Sequence, residues 1–408
     1  MSSQVIAQGG STGPDPESLV PLPSQLEMRP PPADVPIAIA RFYGAWGGTW
    51  GDDMRHVLII ESVAQNGDAA AIYATADSPA YFAWASWQRV KAKVSDGGLN
   101  LSLGYAKVLY EWDGDDRLVG TFTDKSGQVT LGLLTRLDPS QLGSPHALNT
   151  WEIPGERVYI PHTKATAADG TGPIKLEARL YRPKNNGPAP LAVINHGSEI
   201  GRNLLNSSSH FGEARWLLNK GYAVLVPMRR GRGLSEGVYG EATYGTAHSG
   251  QIIDVSQSVN EAVEDLDAAI SFGRALPFVK PGPVLLVGQS RGGFLSVIYA
   301  GRKPDEVLGV VNFVGGWMGG AWERLNTPYF AEAGKAAGGK VPQLWLYAAK
   351  DSFYGEAHVR ANHAAFEAAG GLARFEFYRG IPIDGHRLRS FPDQWRPAAD
   401  EFLTTLKH

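Results

Sequence analysis

The stretch Val284-Leu285-Leu286-Val287-Gly288-Gln289-Ser290-Arg291-Gly292-Gly293-Phe294-Leu295 carries the reading of the fold. Its apolar start reads as a buried strand, and the run from Phe294 to Gly301 reads as a helix. Between them stands G-x-S-x-G. Small residues two before and two after a serine leave room for a strained strand-to-helix turn that lifts the hydroxyl out of the sheet. The positive end of the following helix favours negative charge beside it. Ser290 is thus a candidate nucleophile, and a helix-entry serine is the plainer reading of the same residues.

Outward from this turn, apolar strands alternate with helical segments from Glu156 onward, the pattern of a mainly parallel, doubly wound sheet. Strands are predicted at 157–160, 175–181, 191–195, 223–227, 284–287, 308–313, 343–347 and 374–377. Val255, Val259, Val263, Leu266 and Ile270 step by three or four, so 252–276 is predicted to be a helix with one buried stripe. A last helix is predicted over 392–406.

A serine hydroxyl needs a base to take its proton and a carboxylate to orient that base. Both follow in order. Asp351 stands just past the strand Leu344-Trp345-Leu346-Tyr347, at the carboxyl edge where open α/β sheets gather their sites. His386 lies in the loop Ile383-Asp384-Gly385-His386. His358 and His363 fall in an Ala-rich helical run and His408 at the terminus, so His386 is the expected base. Asp384 is the rival acid, but two residues before the base it is better suited to shaping the loop. The developing oxyanion needs two donors, predicted to be the backbone N–H of Arg291 and that of Ser198 in His196-Gly197-Ser198-Glu199, with Glu199 the neighbouring candidate. His196 is expected to brace this loop.

Arg229, Arg230 and Arg232 crowd a Gly-rich loop, where hydrogen bonding of the loop and a grip on a substrate carboxylate both fit. Arg230, Tyr239, Tyr244 and Trp317 join Glu199 as pocket candidates, since long segments at the carboxyl edge of the sheet are where pockets form; surface packing fits them too.

The segments INHGS, GYAVLVPMRRGRGLSEG, VGQSRGG, NFVGG, LWLYAAKDSFYG and DGHRL, in this order from about residue 156 to the end, resemble an α/β-hydrolase of the dienelactone hydrolase and esterase type. The resemblance implies hydrolysis through a Ser, His and Asp triad and an acyl-enzyme, with neither metal nor organic cofactor. Dienelactone hydrolases use a cysteine nucleophile, whereas this chain has Ser290 and no cysteine, which points to ordinary carboxylic esters.

The first 36 residues hold eight prolines and read as an arm on the surface. Residues 37–137 alternate with period two. Asn66-Gly67, Asp96-Gly97-Gly98, Asp113-Gly114 and Ser126-Gly127 separate the runs, predicting an antiparallel barrel or sandwich of about seven strands. Leu99, Leu101 and Leu103 share one face. Gly44-Ala45-Trp46 with the late Arg136 resembles lipocalin-like barrels, and the aromatic core of an ordinary small barrel or sandwich is the plainer reading of these residues. Residues 138–154 form a linker and 155–408 the catalytic domain.

The composition agrees with a folded chain: of 408 residues, 43% are hydrophobic and 19% charged, so the bulk is not disordered. A net charge of −3 gives no basic footprint for nucleic acid, and a small-molecule or polymeric ester is the expected partner. No apolar window is long enough for a membrane span, and the start MSSQVIAQGG lacks a signal-peptide core. The chain therefore reads as soluble: cytoplasmic, or secreted or periplasmic if a signal was removed. Oligomeric state is not legible. Two other functions stay open. A peptidase of the prolyl-oligopeptidase type would need about 300 residues of propeller, far more than the β region offers. A non-catalytic binding protein keeping the fold is the other.

Overall fold

The computed structural model describes residues 20–52, 54–78, 83–138, 154–166, 172–184, 187–198, 207–241 and 255–406. Glu199, Tyr244, the first half of the Pro-rich arm and nearly all of the linker lie outside these residues.

The short helix Ile37–Ala40 leads into eight strands: β1 (Gly44–Trp50), β2 (Met54–Val63), β3 (Asp68–Thr75), β4 (Ser86–Ser95), β5 (Gly98–Ser102), β6 (Ala106–Gly114), β7 (Arg117–Asp124) and β8 (Val129–Leu137). Each pairs antiparallel with the next, and β1 pairs with β8 to close a barrel. The count is one more than the turn signals suggested. Closure is a pairing between residues some ninety positions apart, which local period cannot reveal. One predicted turn also shifts: Asp115 and Asp116, at φ 47° and 53°, make the bend after β6, and Gly114 still belongs to the strand.

Leu99, Leu101 and Leu103 face inward with Trp46, Leu58, Tyr110, Leu118 and Leu134. The guanidinium of Arg136 lies 4.0 Å from the centre of the Trp46 ring and donates to the carbonyls of Tyr43 and Arg41. The outer faces of β1, β2 and β3 are apolar as well. Ala45, Val57, Ile59, Ile72 and Ala74 are covered there by Val20, Leu22, Leu26 and Met28 of the arm. The arm thus buries surface that an antiparallel barrel would otherwise expose.

The second sheet has the order β16-β15-β14-β13-β11-β12-β10-β9. Its strands are β9 (Glu156–Thr166), β10 (Pro173–Tyr181), β11 (Leu191–Asn195), β12 (Ala223–Pro227), β13 (Val284–Gln289), β14 (Val307–Phe313), β15 (Pro342–Ala348) and β16 (Leu372–Tyr378). All pairs from β12 to β16 are parallel, and β9 and β10 form an antiparallel edge. The central strands β11, β12 and β13 are buried almost throughout, which is why their sequences are continuous apolar runs. The helices Phe211–Leu218, Val255–Arg274, Arg291–Arg302, Asn326–Ala337, Glu356–Ala368 and Pro392–Thr405 pack against this sheet and one another. Among the described residues no helix is long and apolar enough to cross a membrane.

Barrel and sheet meet through Val119, Leu131 and Leu133, which pack into the core of the second sheet. Polar contacts surround this patch. Asp52, at the end of β1, accepts from the Ser209 N–H at 2.9 Å, from the Ser208 hydroxyl at 3.1 Å and from the Ser209 hydroxyl. Asp113 receives Arg215 and Lys184, each at 3.3 Å. Replacing Asp52 by alanine leaves the Ser209 N–H without its acceptor. It should lower unfolding stability by about 1–3 kcal/mol in a urea titration; an unchanged midpoint would show that this contact does not hold the two parts together.

Candidate active site

Ser290 stands between the end of β13 and the helix Arg291–Arg302 with φ 55° and ψ −122°. Such a backbone costs a non-glycine residue about 1–3 kcal/mol and persists only where neighbours over-determine it. Here they do. The Ser290 N–H donates to the Phe313 carbonyl at 2.9 Å, and its own carbonyl accepts from the N–H of Phe294 at 3.0 Å and of Gly316 at 3.2 Å. The flanking glycines are forced by close approach: a Cβ on Gly288 would sit 2.1 Å from the Gly292 carbonyl oxygen, and one on Gly292 2.1 Å from that of Asn195. The serine hydroxyl makes no capping bond to the helix it precedes.

His386 lies in the turn Gly385–Ser390 that follows β16. Its Nδ1 is 3.0 Å and 3.1 Å from the two carboxylate oxygens of Asp351. Asp351 is itself fixed by the N–H groups of Phe353 at 2.8 Å and Tyr354 at 3.1 Å. Asp384 accepts instead from the backbone N–H of His386 at 2.9 Å and from the Ser352 N–H and hydroxyl. Burial raises the Asp384 carboxyl, but these donors outweigh it and hold the group below its ordinary value. Of the two carboxylates, Asp351 meets the imidazole and Asp384 shapes the loop. The other histidines face elsewhere: His358 Nε2 is 2.9 Å from the Asn362 amide and His363 Nε2 is 3.0 Å from the Ala373 carbonyl.

The loop after β11 comes directly beside the serine, since a Cβ on Gly197 would lie 3.4 Å from the Ser290 Cβ. His196 braces it. Its Nε2 accepts from the Arg229 N–H at 3.1 Å, so its Nδ1–H donates to the Gly197 carbonyl at 2.7 Å. Burial, with Arg229 and Arg232 nearby, pushes this imidazole well below its usual value and keeps it neutral. Arg229 donates to the carbonyls of His196 at 2.8 Å and Gly197 at 3.1 Å, and Arg232 to Gly197 at 3.3 Å. With these carbonyls tied back, the loop's shape is set from behind.

Two residues that tie the site's loops together were missed by sequence reasoning. Glu241 is buried and bridges Arg229 to Arg291, the latter at 3.1 Å. It thereby connects the loop at Gly197 to the residue after Ser290. Burial raises its carboxyl, yet Arg229 and Arg291 together bring it down to about 2. No local pattern marks a lone glutamate forty-nine positions before the serine. Gln289 donates to the His386 carbonyl at 3.4 Å and so ties the imidazole loop to the turn; only its place inside G-x-S-x-G could have drawn attention.

The pocket candidates separate. Arg230 follows the hydrogen-bonding alternative: its guanidinium is held by Asp265 at 2.8 Å and Glu264 at 3.3 Å on the helix Val255–Arg274, so these donors serve packing of that helix. Tyr239 donates to Glu241 at 3.2 Å, and burial followed by that carboxylate pushes its phenol up to about 12. Trp317 is buried against Phe294, with the Arg291 guanidinium 5.2 Å from its ring centre. Tyr239 and Trp317 therefore support the Glu241 bridge from either side. Among the described residues no three His, Asp or Glu side chains cluster as metal ligands.

A mainly parallel sheet with helices, carrying a serine on a tight turn between a central strand and its helix, is the architecture of the α/β-hydrolases. A family model, that of the dienelactone hydrolase family, matches residues 176–382, and the chain belongs to that family of hydrolases. Among solved structures it is similar to the Pyrococcus furiosus esterase Pf2001, at 16% identity over 62% of this chain and 90% of that one, with a TM-score of 0.43. It is also similar to Est1E from Butyrivibrio proteoclasticus with bound ferulic acid, at 18% identity over 61% and 98%, with a TM-score of 0.44. No curated protein matches the chain.

The Glu241 bridge has a pH signature. Its folded value, about 2, lies below the ordinary 4.5, so its stabilisation is complete above about pH 4.5 and is lost as pH falls toward 2. The shift corresponds to about 3 kcal/mol. Glu241→Gln should lose stability at pH 7, and its gap from the unaltered protein should close between pH 4.5 and 2 in denaturant titrations. Glu213, also near 2, titrates in both proteins and cancels in the difference. A gap independent of pH would refute the bridge.

Proposed function

We propose that the protein is a serine carboxylesterase in which Ser290 is the nucleophile, His386 the base and Asp351 its orienting carboxylate. The observation that carries this reading is the constellation itself: a strained serine whose hydroxyl makes no bond to the helix it precedes, and an imidazole fixed at Nδ1 by Asp351 on the adjoining loop. With Nδ1–H held by the carboxylate, the tautomer leaves Nε2 free to accept a proton. Ser290 Oγ attacks the ester carbonyl carbon as its proton passes to His386 Nε2, giving a tetrahedral oxyanion. The backbone N–H groups of Arg291 and Ser198 receive the oxyanion. The C–O bond to the alcohol then breaks, the alcohol leaves with the proton from Nε2, and water repeats the sequence to release the acid.

The oxyanion assignment is supported by the position of Gly197 against Ser290 and by the arginine donors that hold its loop. Removing one such donor typically costs about 3–4 kcal/mol of transition-state stabilisation, so the rigidity of that loop matters to rate. The serine in place of a cysteine favours simple carboxylic esters over dienelactones, because a serine alkoxide needs the full assistance of the base that Asp351 and His386 supply. A small-molecule or polymeric ester would serve as substrate.

Ser290→Ala and His386→Ala should each lower kcat for a p-nitrophenyl ester by at least about 10³-fold, and Asp351→Asn by about 10²–10⁴-fold, with folding preserved. A fluorophosphonate should label the unaltered protein and not Ser290→Ala. Full hydrolysis by Ser290→Ala would overturn the assignment. Labelling that fails on folded protein would favour a non-catalytic binding role instead.

A further inference from the structure

The barrel has two unlike ends. An eight-stranded barrel is just wide enough for side chains to fill it or for one small ligand to enter. At the end where β1 begins, Phe42, Trp46, Leu99 and Leu118 fill the interior. The other end, where β1, β3 and β7 finish, holds a cavity of about 550 Å³, within the range of small-molecule sites. Trp50, Tyr73, Tyr105 and Phe122 line it, with ring centres of Trp50 and Phe122 5.8 Å apart. Behind them His56 is bonded to the Tyr110 hydroxyl at 2.6 Å and to the Ala74 carbonyl at 2.8 Å. Burial pushes His56 down to about 3, so the floor carries no charge at neutral pH.

The mouth carries a cation from the turn Gly385–Ser390. Arg387, the residue after His386, lines this cavity, and its guanidinium is exposed with neither hydrogen bond nor ion pair to a described residue. Arg389, two positions on, is by contrast held by Glu213 at 3.3 Å. The acidic side chain at the same rim, Asp124, engages one of its carboxylate oxygens in its own turn, where Oδ1 accepts from the N–H of Ser126 at 2.8 Å, the Ser126 hydroxyl at 2.6 Å and the N–H of Gln128 at 3.0 Å. A guanidinium fork over an aromatic chamber matches a flat ring bearing a planar anion, since bidentate pairing with a carboxylate and offset ring contacts act together.

We propose that the open end of the barrel is a binding site for an aromatic carboxylate, with the ring among Trp50, Tyr73 and Phe122 and the carboxylate on Arg387. A ligand seated there lies at the junction of barrel and imidazole loop, because Arg387 belongs to both surroundings. The site goes beyond the esterase reading and does not require Ser290 to be a nucleophile.

The test is calorimetric titration of the full chain carrying Ser290→Ala with 2-naphthoate and with 2-naphthamide, which has the same shape without the charge. Naphthoate should bind one site per chain about tenfold more tightly than the amide. Arg387→Met should remove that preference while leaving amide binding in place, and Phe122→Ala should weaken both. Naphthoate binding that is undiminished in Arg387→Met, or absent up to millimolar ligand, would overturn the proposal. Because every arm uses Ser290→Ala, failure of the esterase reading leaves this outcome unaffected.

Discussion

The backbone at Ser290, held at φ 55° and ψ −122°, is the constraint to which the surrounding structure is fitted. An unstrained serine at a helix start would bond its hydroxyl to the helix and have nothing left for chemistry. The strained turn prevents this, and the sheet stabilises it: β14 accepts the serine's N–H, the helix returns a bond to its carbonyl, and Gly316 supplies a second. The close passage of Gly288 and Gly292 follows from the same turn, because the helix must start almost against β11 and its own strand. Burial of the central parallel strands makes this arrangement rigid enough to hold strain of about 1–3 kcal/mol.

Charge then fixes what the sheet cannot. The loop after β11 carries carbonyls toward a buried region, and Arg229 and Arg232 receive them. Buried guanidinium groups require compensation, which Glu241 provides to Arg229 and Arg291 at once. One carboxylate therefore sets the distance between the two loops on which an oxyanion site would depend. A neutral His196 completes the brace without adding a third positive charge.

The barrel is attached to this machinery and does not merely precede it. Its Asp52 and Asp113 reach the segment around the helix Phe211–Leu218, its Leu131 and Leu133 enter the hydrolase core, and Arg387 stands at its open end. The arm packed outside β1, β2 and β3 covers their outer apolar face, so these strands are buried on both sides.

The sequence by itself determined the elements and named the candidates for chemistry. Apolar runs placed all eight strands of the second sheet, G-x-S-x-G placed the turn, and chain order singled out Asp351 and His386. These are local signals, written in period and spacing. Tertiary structure alone decided barrel closure, the eighth strand, the turn at Asp115 and Asp116, and the partnering of arginines. Arg230 shows why. Its sequence neighbours left loop bonding and a pocket role both open, and Asp265, thirty-five positions away, takes up its guanidinium. Glu241 shows the same from the other side: nothing near it in sequence marks it, and its importance arises only where burial makes two distant charges depend on a third. Ion pairing and closure are long-range and are set by which surfaces the fold brings together, whereas strand, turn and helix are set by the residues themselves.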